Sequence, residues 1–271
     1  MNAAQILSNL NSGRGTISCS GEFLSDFLES YSDAGHVRDA CTRKHLLANH
    51  YEAIYNGLES IDDLINVTPR EIWIDDIRQR KSKLNLDSAI ICSELDNVKR
   101  TEELENRVLL TKRSANFNWP HLYVNGLMKL ERINIIPISS ASGDKKRVIA
   151  FLTIFQDLTP RLSLDRLFYL YQGFFPVSNR KAIQHLLRHL ELDHCFDPLS
   201  PLTCKEIQIL LAMCKSSQCK VLAKQFDVSA PTMSNHITHI REKIVSPFTL
   251  HHVLSKLRTT GKNLITSTDF Y

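Results

Sequence analysis

Apolar residues recur along this chain with two different periods, and the changes of period divide it. Between Gly21 and Tyr31, residues Phe23, Leu24, Phe27, Leu28 and Tyr31 fall along one side of a short helix. Short strands are expected at 35–40 and 45–49, and a helical segment at 50–57. Ser60 is placed to cap a further turn through Ile61, Leu64 and Ile65. Thr68-Pro69-Arg70-Glu71 has a capping hydroxyl, a proline in the first turn and a glutamate three residues on, which marks a helix start. That pattern predicts a helix from Ile72 to about Ile91. The texture then changes. Segments 106–117, 122–138 and 147–155 are rich in β-branched and aromatic residues, with Ala141-Ser142-Gly143-Asp144 as a turn, so three antiparallel strands in a meander are expected.

From residue 160 onward the helical period returns. Leu162, Leu164, Leu167, Phe168, Leu170 and Tyr171 crowd one helix, which Phe174-Phe175-Pro176 ends. Ser178 caps the next, with Ile183, Leu186, Leu187 and Leu190 on its apolar side. This apolar surplus must be buried on the sheet, on a partner subunit or on both, which points to a dimer. Between Pro201 and Lys262 four short helices are expected, two of them joined by a tight turn. The first of that pair spans roughly 217–226. Asp227 tolerates the left-handed backbone of such a turn. Ser229 caps the second, which runs to about Ile244 with Pro231 in its first turn. Met233, Ile237, Ile240 and Ile244 form its buried stripe. Thr232, Ser234, Asn235, Thr238, His239 and Arg241 lie opposite, and all can hydrogen-bond to bases or phosphates. Such a helix-turn-helix sets one short helix into the major groove of DNA.

Charge follows the same division. Residues 201–262 hold nine Lys or Arg against three Asp or Glu, a net of +6, whereas the whole chain is +4. The positive charge is thus concentrated where phosphate would be met. No apolar run approaches the roughly 20 residues that span a bilayer, and Met1-Asn2-Ala3-Ala4-Gln5 does not open a signal peptide. Seven scattered cysteines fit a reducing cytoplasm. Cys214 and Cys219 flank the entrance to the helix-turn-helix, but without a C-x-x-C pair they read as small hydrophobes. Residues 1–20, rich in Asn, Ser and Gly, read as loosely ordered. No phosphate-cradling glycine loop, G-x-S-x-G or H-E-x-x-H occurs, and a non-enzyme is expected. The acidic pairs Asp62-Asp63 and Asp75-Asp76 read as solvated surface.

Two resemblances sharpen these expectations. Leu202-Thr203, Glu206, Ile209-Leu210, Ala223, Val228-Ser229, Thr232-Met233, His236-Ile237 and Lys243-Ile244 resemble the LuxR-type DNA-binding domain. Ser216, Val221 and Pro247-Phe248 depart from that family's pattern. Upstream, Arg38-Asp39 and Leu46-Leu47-Ala48-Asn49 resemble the opening of a PAS domain. Arg132 to Ile138, Val148-Ile149-Ala150-Phe151 and Asp157-Leu158-Thr159 resemble its closing hairpin, although Cys41-Thr42-Arg43-Lys44 replaces the usual glycine-bearing turn. The resemblances imply an α+β chain in four parts: an N-terminal extension with a short helix at 1–30, a PAS-like antiparallel sheet with helices at 31–159, a helical linker at 160–200, and an all-α helix-turn-helix domain at 201–271.

The function they imply is that of a cytoplasmic, bacterial, dimeric transcription regulator that binds double-stranded DNA. The PAS-like part would then serve either as a sensor of a small molecule or as a dimerisation platform. Ser234, Asn235 and His239 are candidates for base edges, Thr232 for bases or backbone, and Lys220, Arg241 and Lys243 for phosphate. His236 matches a family histidine but lies beside the buried stripe. No cofactor can be named: the flavin motif is absent, and no histidine falls between Pro69 and Arg100 to hold haem. His50 and His121 read as structural or solvent-exposed, and Trp73 and Phe151 as core. The competing reading is an interaction adaptor whose degenerate helix-turn-helix binds protein.

Overall fold

The computed structural model describes residues 21–75, 86–142 and 145–265, which divide into two compact units, 1–157 and 158–271. The expectations for residues 1–20, for Asp76 and for Gly143-Asp144 lie outside the described residues.

The N-terminal unit is the α+β arrangement read from the sequence. Its elements are α1 (Gly21–Ser30), β1 (Gly35–Asp39), β2 (His45–Ala48), α2 (His50–Tyr55), α3 (Ser88–Thr111), β3 (Ala115–Leu122), β4 (Met128–Ser142) and β5 (Lys145–Asp157). The sheet is antiparallel in the order β2-β1-β5-β4-β3, so the expected meander closes on the opening hairpin. Alternation along β1 points Val37 to one face and His36 and Arg38 to the other. Leu24 and Leu28 of α1 pack with Val37, Leu46 and Ala150 on the first face. Val108 of α3 packs with Ile133, Ile135, Phe151 and Phe155 on the second. Gly35 is needed where α1 crosses β1, because a Cβ there would stand 2.9 Å from Leu28 Cδ2.

Three expectations fail in this unit, each for a physical reason. The segment 106–117 is not one strand. Helix α3 continues to Thr111 and ends on a left-handed Lys112 (φ 55°), and β3 starts only at Ala115. Val108-Leu109-Leu110 is apolar but helical: Val108 ends the buried face of α3 and Leu110 is exposed. The expected strand 122–138 is interrupted, because β3 ends at Leu122 and a turn through Gly126 (φ 77°) precedes β4. The capped helix start at Thr68 is real: Glu71 N–H donates to Thr68 Oγ1 at 3.1 Å and Thr68 N–H to Glu71 Oε2 at 2.7 Å. It opens the π turn Glu71–Asp75; residues 76–85 lie outside the described residues, and Asp87 is extended and caps α3, so no helix reaches Ile91 in one piece.

The C-terminal unit is all helix: α4 (Leu164–Phe174), α5 (Asn179–His189), α6 (Cys204–Met213), α7 (Cys219–Gln225), α8 (Ala230–Glu242) and α9 (Leu250–Ile265). Ser163, Ser178, Thr203 and Ser229 cap α4, α5, α6 and α8. Helices α4 and α5 pack on each other and on α6, and Leu164, Leu167, Phe168, Tyr171, Ile183, Leu186 and Leu187 are buried. The apolar surplus of segment 160–200 is therefore absorbed within the unit itself. Of its large apolar side chains, Tyr169, Val177 and Leu199 stay exposed.

Candidate functional site

The helix-turn-helix of α7 and α8 forms where the sequence places it. Asp227 takes φ 53° in the turn. Ser229 Oγ accepts from Thr232 N–H at 3.2 Å, and Pro231 sits in the first turn. Met233, Ile237 and Ile240 are buried, while Leu222 and Ala223 of α7 close the contact. At 100° per residue the exposed positions of α8 cover one continuous arc. Thr232, Ser234, Asn235, Thr238, His239, Arg241 and Glu242 are all exposed on it. Six of these seven side chains are neutral donors, acceptors or cations, and the carboxylate comes last, at the far end. Lys220 is exposed on α7, and so is Lys224 one helical turn further. Lys224 was not singled out from the sequence. Its signal there was only the four-residue spacing from Lys220.

Two candidates sit differently from the rest. His236 is half-buried on the flank of the arc. Lys243 is turned inward: its Nζ donates to Glu206 Oε2 at 2.7 Å and to the Pro201 carbonyl at 3.1 Å. Glu206 is only 4% exposed and is also the reciprocal partner of the Thr203 cap. Burial alone would raise its pKa, but the Lys243 ammonium and the Thr203 donors hold it below the usual carboxylate range. Lys243 thus ties the end of α8 to the start of α6, whereas Lys220, Lys224 and Arg241 are exposed. Replacing Lys243 by Met should lower the stability of the unit by about 1.5–3 kcal/mol, as denaturant unfolding would read, and leave the salt dependence of any DNA binding unchanged.

The N-terminal unit holds a second candidate, a polar cavity of about 40 Å³ between the sheet and α2 and α3. Helix α3 directs Glu94, Val98, Thr101, Glu105 and Val108 at the sheet, a buried stripe at helical spacing that carries two carboxylates. Glu105, fully buried, meets Arg38 at 3.1 Å and Arg43 at 3.0 Å. Arg43 reaches it from the left-handed turn between β1 and β2 (φ 63°), whose Asp39 carboxylate accepts from Cys41 and Thr42 N–H. Glu94 lies 3.0 Å from His121 Nε2, and Glu131 lies 3.7 Å from His121 Nδ1. Tyr123 donates its hydroxyl to Glu131. His121 is thus a buried, ion-paired side chain, held on β3 opposite α3.

On the other side of the cavity His36 Nδ1 stands 3.1 Å from Glu52 Oε1, and Arg38 Nε donates to His36 Nε2 at 2.8 Å. Asn56 Nδ2 donates to the same Glu52 oxygen at 3.2 Å, and Trp73 Nε1 donates to Asn56 Oδ1 at 2.8 Å. His45 lies beside His36 with ring centroids 5.0 Å apart. Burial pushes both imidazoles below the ordinary histidine pKa, His45 to about 3, with Arg38 adding to the effect. Both rings are neutral at pH 7. Trp73, read as core, is buried and lines this cavity; Phe151 is wholly core. Sequence reasoning did not find this cluster, because its two local pairs, His36–Arg38 and Glu52–Asn56, are brought to each other and to His45 and Trp73 only by the fold.

No protein-family model matches the chain, and no curated protein sequence does. Among solved structures, VqmA of Vibrio cholerae in a complex with ligand and DNA is 15% identical at a TM-score of 0.41, over 90% of this chain and 88% of that one. A phage VqmA in complex with DPO is 16% identical at a TM-score of 0.38, over 89% and 88%. The PAS domain of BvgS from Bordetella pertussis is 13% identical at a TM-score of 0.31, over 50% of this chain and 83% of that one.

Proposed function

We propose that this chain is a dimeric, sequence-specific DNA-binding transcription regulator, in which the PAS-like unit receives a signal and the helix-turn-helix reads the site. The observation that carries the reading is the exposed arc of α8. Ser234, Asn235 and His239 are exposed on it with Thr232 and Arg241 at its edges, and Lys220 and Lys224 are exposed on the neighbouring helix, which supports a reading of the major groove by this face. A two-fold dimer would space two such helices by about one DNA turn, roughly 34 Å. The exposed Tyr169, Val177 and Leu199 supply apolar surface for such an association. Mass measurement at micromolar concentration, with and without DNA, tests the dimer, and a strict monomer in both conditions would remove it. Among the described residues no helix is long and apolar enough to cross a membrane. The described cysteines are thiols, which agrees with work in the cytoplasm beside DNA.

The test is selection from a random duplex library at physiological salt, with a triple variant at Ser234, Asn235 and His239, all to Ala, as control. The expected result is an enriched site of two-fold symmetry that the variant does not enrich. Asn235→Ala alone should relax one base position at a loss of roughly 1–3 kcal/mol. Lys220→Ala should weaken all sequences alike and flatten the salt slope by about one unit. Equal retention of every sequence by wild type and triple variant would defeat the reading.

A further inference from the structure

Three side chains on β1, β2 and α2 converge in the N-terminal unit without a role in the reading above. The nearest donor atoms of His36, His45 and Glu52 all lie within 4.8 Å of one another, and all three residues are buried. His36 Nδ1 and Glu52 Oε1 are 3.1 Å apart. Ligands bonded at 2.0–2.1 Å to a tetrahedral zinc ion stand roughly 3.3 Å from each other, so this pair is already at ligand spacing. From the 4.8 Å limit, His45 has to close by up to about 1.5 Å.

The state of His45 is the second observation. Its Nδ1 lies 2.7 Å from the Val67 carbonyl oxygen, which fixes the proton on that nitrogen. Nε2 then presents a bare lone pair, and it is buried with no hydrogen-bond partner among the described residues. An imidazole anchored through Nδ1–H to a backbone carbonyl, with Nε2 bare, is the outer-shell arrangement that metal-ligating histidines use. A buried acceptor left unpaired would otherwise destabilise the fold.

Charge points the same way. Glu52, Glu94, Glu105 and Glu131 face Arg38, Arg43 and a His121 that its two carboxylates keep protonated, so the cluster carries one negative charge in excess. Arg38 is the near cation, and Glu105 takes up its charge at 3.1 Å. The cavity beside the three ligands has room for a metal-bound water at the fourth position.

We propose that His36, His45 and Glu52 form a binding site for a divalent transition-metal ion, and that zinc is the ion it fits. Two imidazoles, one carboxylate and an open fourth position make up a tetrahedral zinc set; the same donors also suit Fe(II). Loading moves the His36 proton from Nδ1 to Nε2, with no net change in protons on the ring. Arg38 Nε must then leave that nitrogen and remain on Glu105. The site lies wholly within the N-terminal unit, and its outcome is independent of whether the C-terminal unit binds DNA.

The experiment is titration of the chelator-treated, full-length chain with Co2+ and then Zn2+. The expected result is one equivalent of Co2+ giving visible ligand-field bands that Zn2+ abolishes, with a rise in melting temperature. His45→Gln and Glu52→Gln should each lower the affinity 10-fold or more, as removal of a ligand does, while His194→Ala should not change it. Circular dichroism establishes that each variant is folded. A readout on the wild-type chain needs no variant: Co2+ should shift or broaden the His45 imidazole resonances and spare those of His239. Absence of ligand-field bands, thiolate charge-transfer bands in the near ultraviolet, or unperturbed His45 resonances would each overturn the proposal.

Discussion

Replacing Glu105 by Ala should unfold the N-terminal unit more readily than any other single truncation on α3, by about 3–5 kcal/mol. Its carboxylate is fully buried and serves two guanidinium groups at once, Arg38 at 3.1 Å and Arg43 at 3.0 Å. Arg38 is itself only 3% exposed. Without Glu105 its charge would be left in the interior with His36 Nε2 as its remaining close acceptor. Arg43 would lose less, because it keeps Asn106 Oδ1 at 2.7 Å and the face of Phe151 at 4.8 Å. Glu105→Gln should lose less than Glu105→Ala, since it retains one acceptor for the two donors. Urea unfolding followed by near-ultraviolet circular dichroism measures both. A loss below 1 kcal/mol for the Ala variant would mean that Arg38 finds water, and that the interior is wetter than its burial indicates.

The same residue shows why part of this molecule was legible in the sequence and part was not. The helix-turn-helix was read nearly residue by residue because each of its signals is local: Asp227 in the turn, Ser229 at the cap, Pro231 in the first turn and the stripe Met233, Ile237 and Ile240, although Ile244 falls beyond the helix and is half-buried. The meander was found from β-branched composition, but its edges slipped where apolar residues served a helix. Helix α3 was misread because its buried face is part polar. Glu94, Thr101 and Glu105 fill positions where a periodicity argument looks for leucine, so the stripe 94, 98, 101, 105, 108 was invisible. Its carboxylates make sense only once β1 and β3 bring Arg38 and His121 opposite them, at sequence separations of 67 and 27 residues. Lys243 is the opposite case. A lysine at the end of a basic helix reads as a phosphate contact, and only the fold shows the buried Glu206 that claims it.

His121 makes the stability of the N-terminal unit depend on pH in a direction that can be stated in advance. Burial of the ring opposes its charge, but the carboxylates of Glu94 and Glu131 outweigh burial and lift its pKa from 6.5 to about 10. The raised folded value fixes the sign: the folded state holds a proton that the unfolded chain releases above 6.5. The stabilisation is fully present below 6.5 and is lost as pH rises through about 10. For one proton the slope approaches 1.4 kcal/mol per pH unit, so unfolding free energy should fall by about 1.4 kcal/mol between pH 7.5 and 8.5. That window lies below the titration of the other groups whose pKa is raised. Tyr123, raised well above 10 by burial and by Glu131, and Cys214, raised to about 11 by burial, add their own losses only at higher pH. His36 and His45, with lowered values, release stability only on the acid side. His121→Gln keeps a polar group between the two carboxylates but removes the proton. It should flatten the slope across the window and lower stability at pH 7 by about 3–5 kcal/mol, as breaking a buried pair does. A wild-type slope equal to that of the variant would show that His121 is neutral in the folded protein.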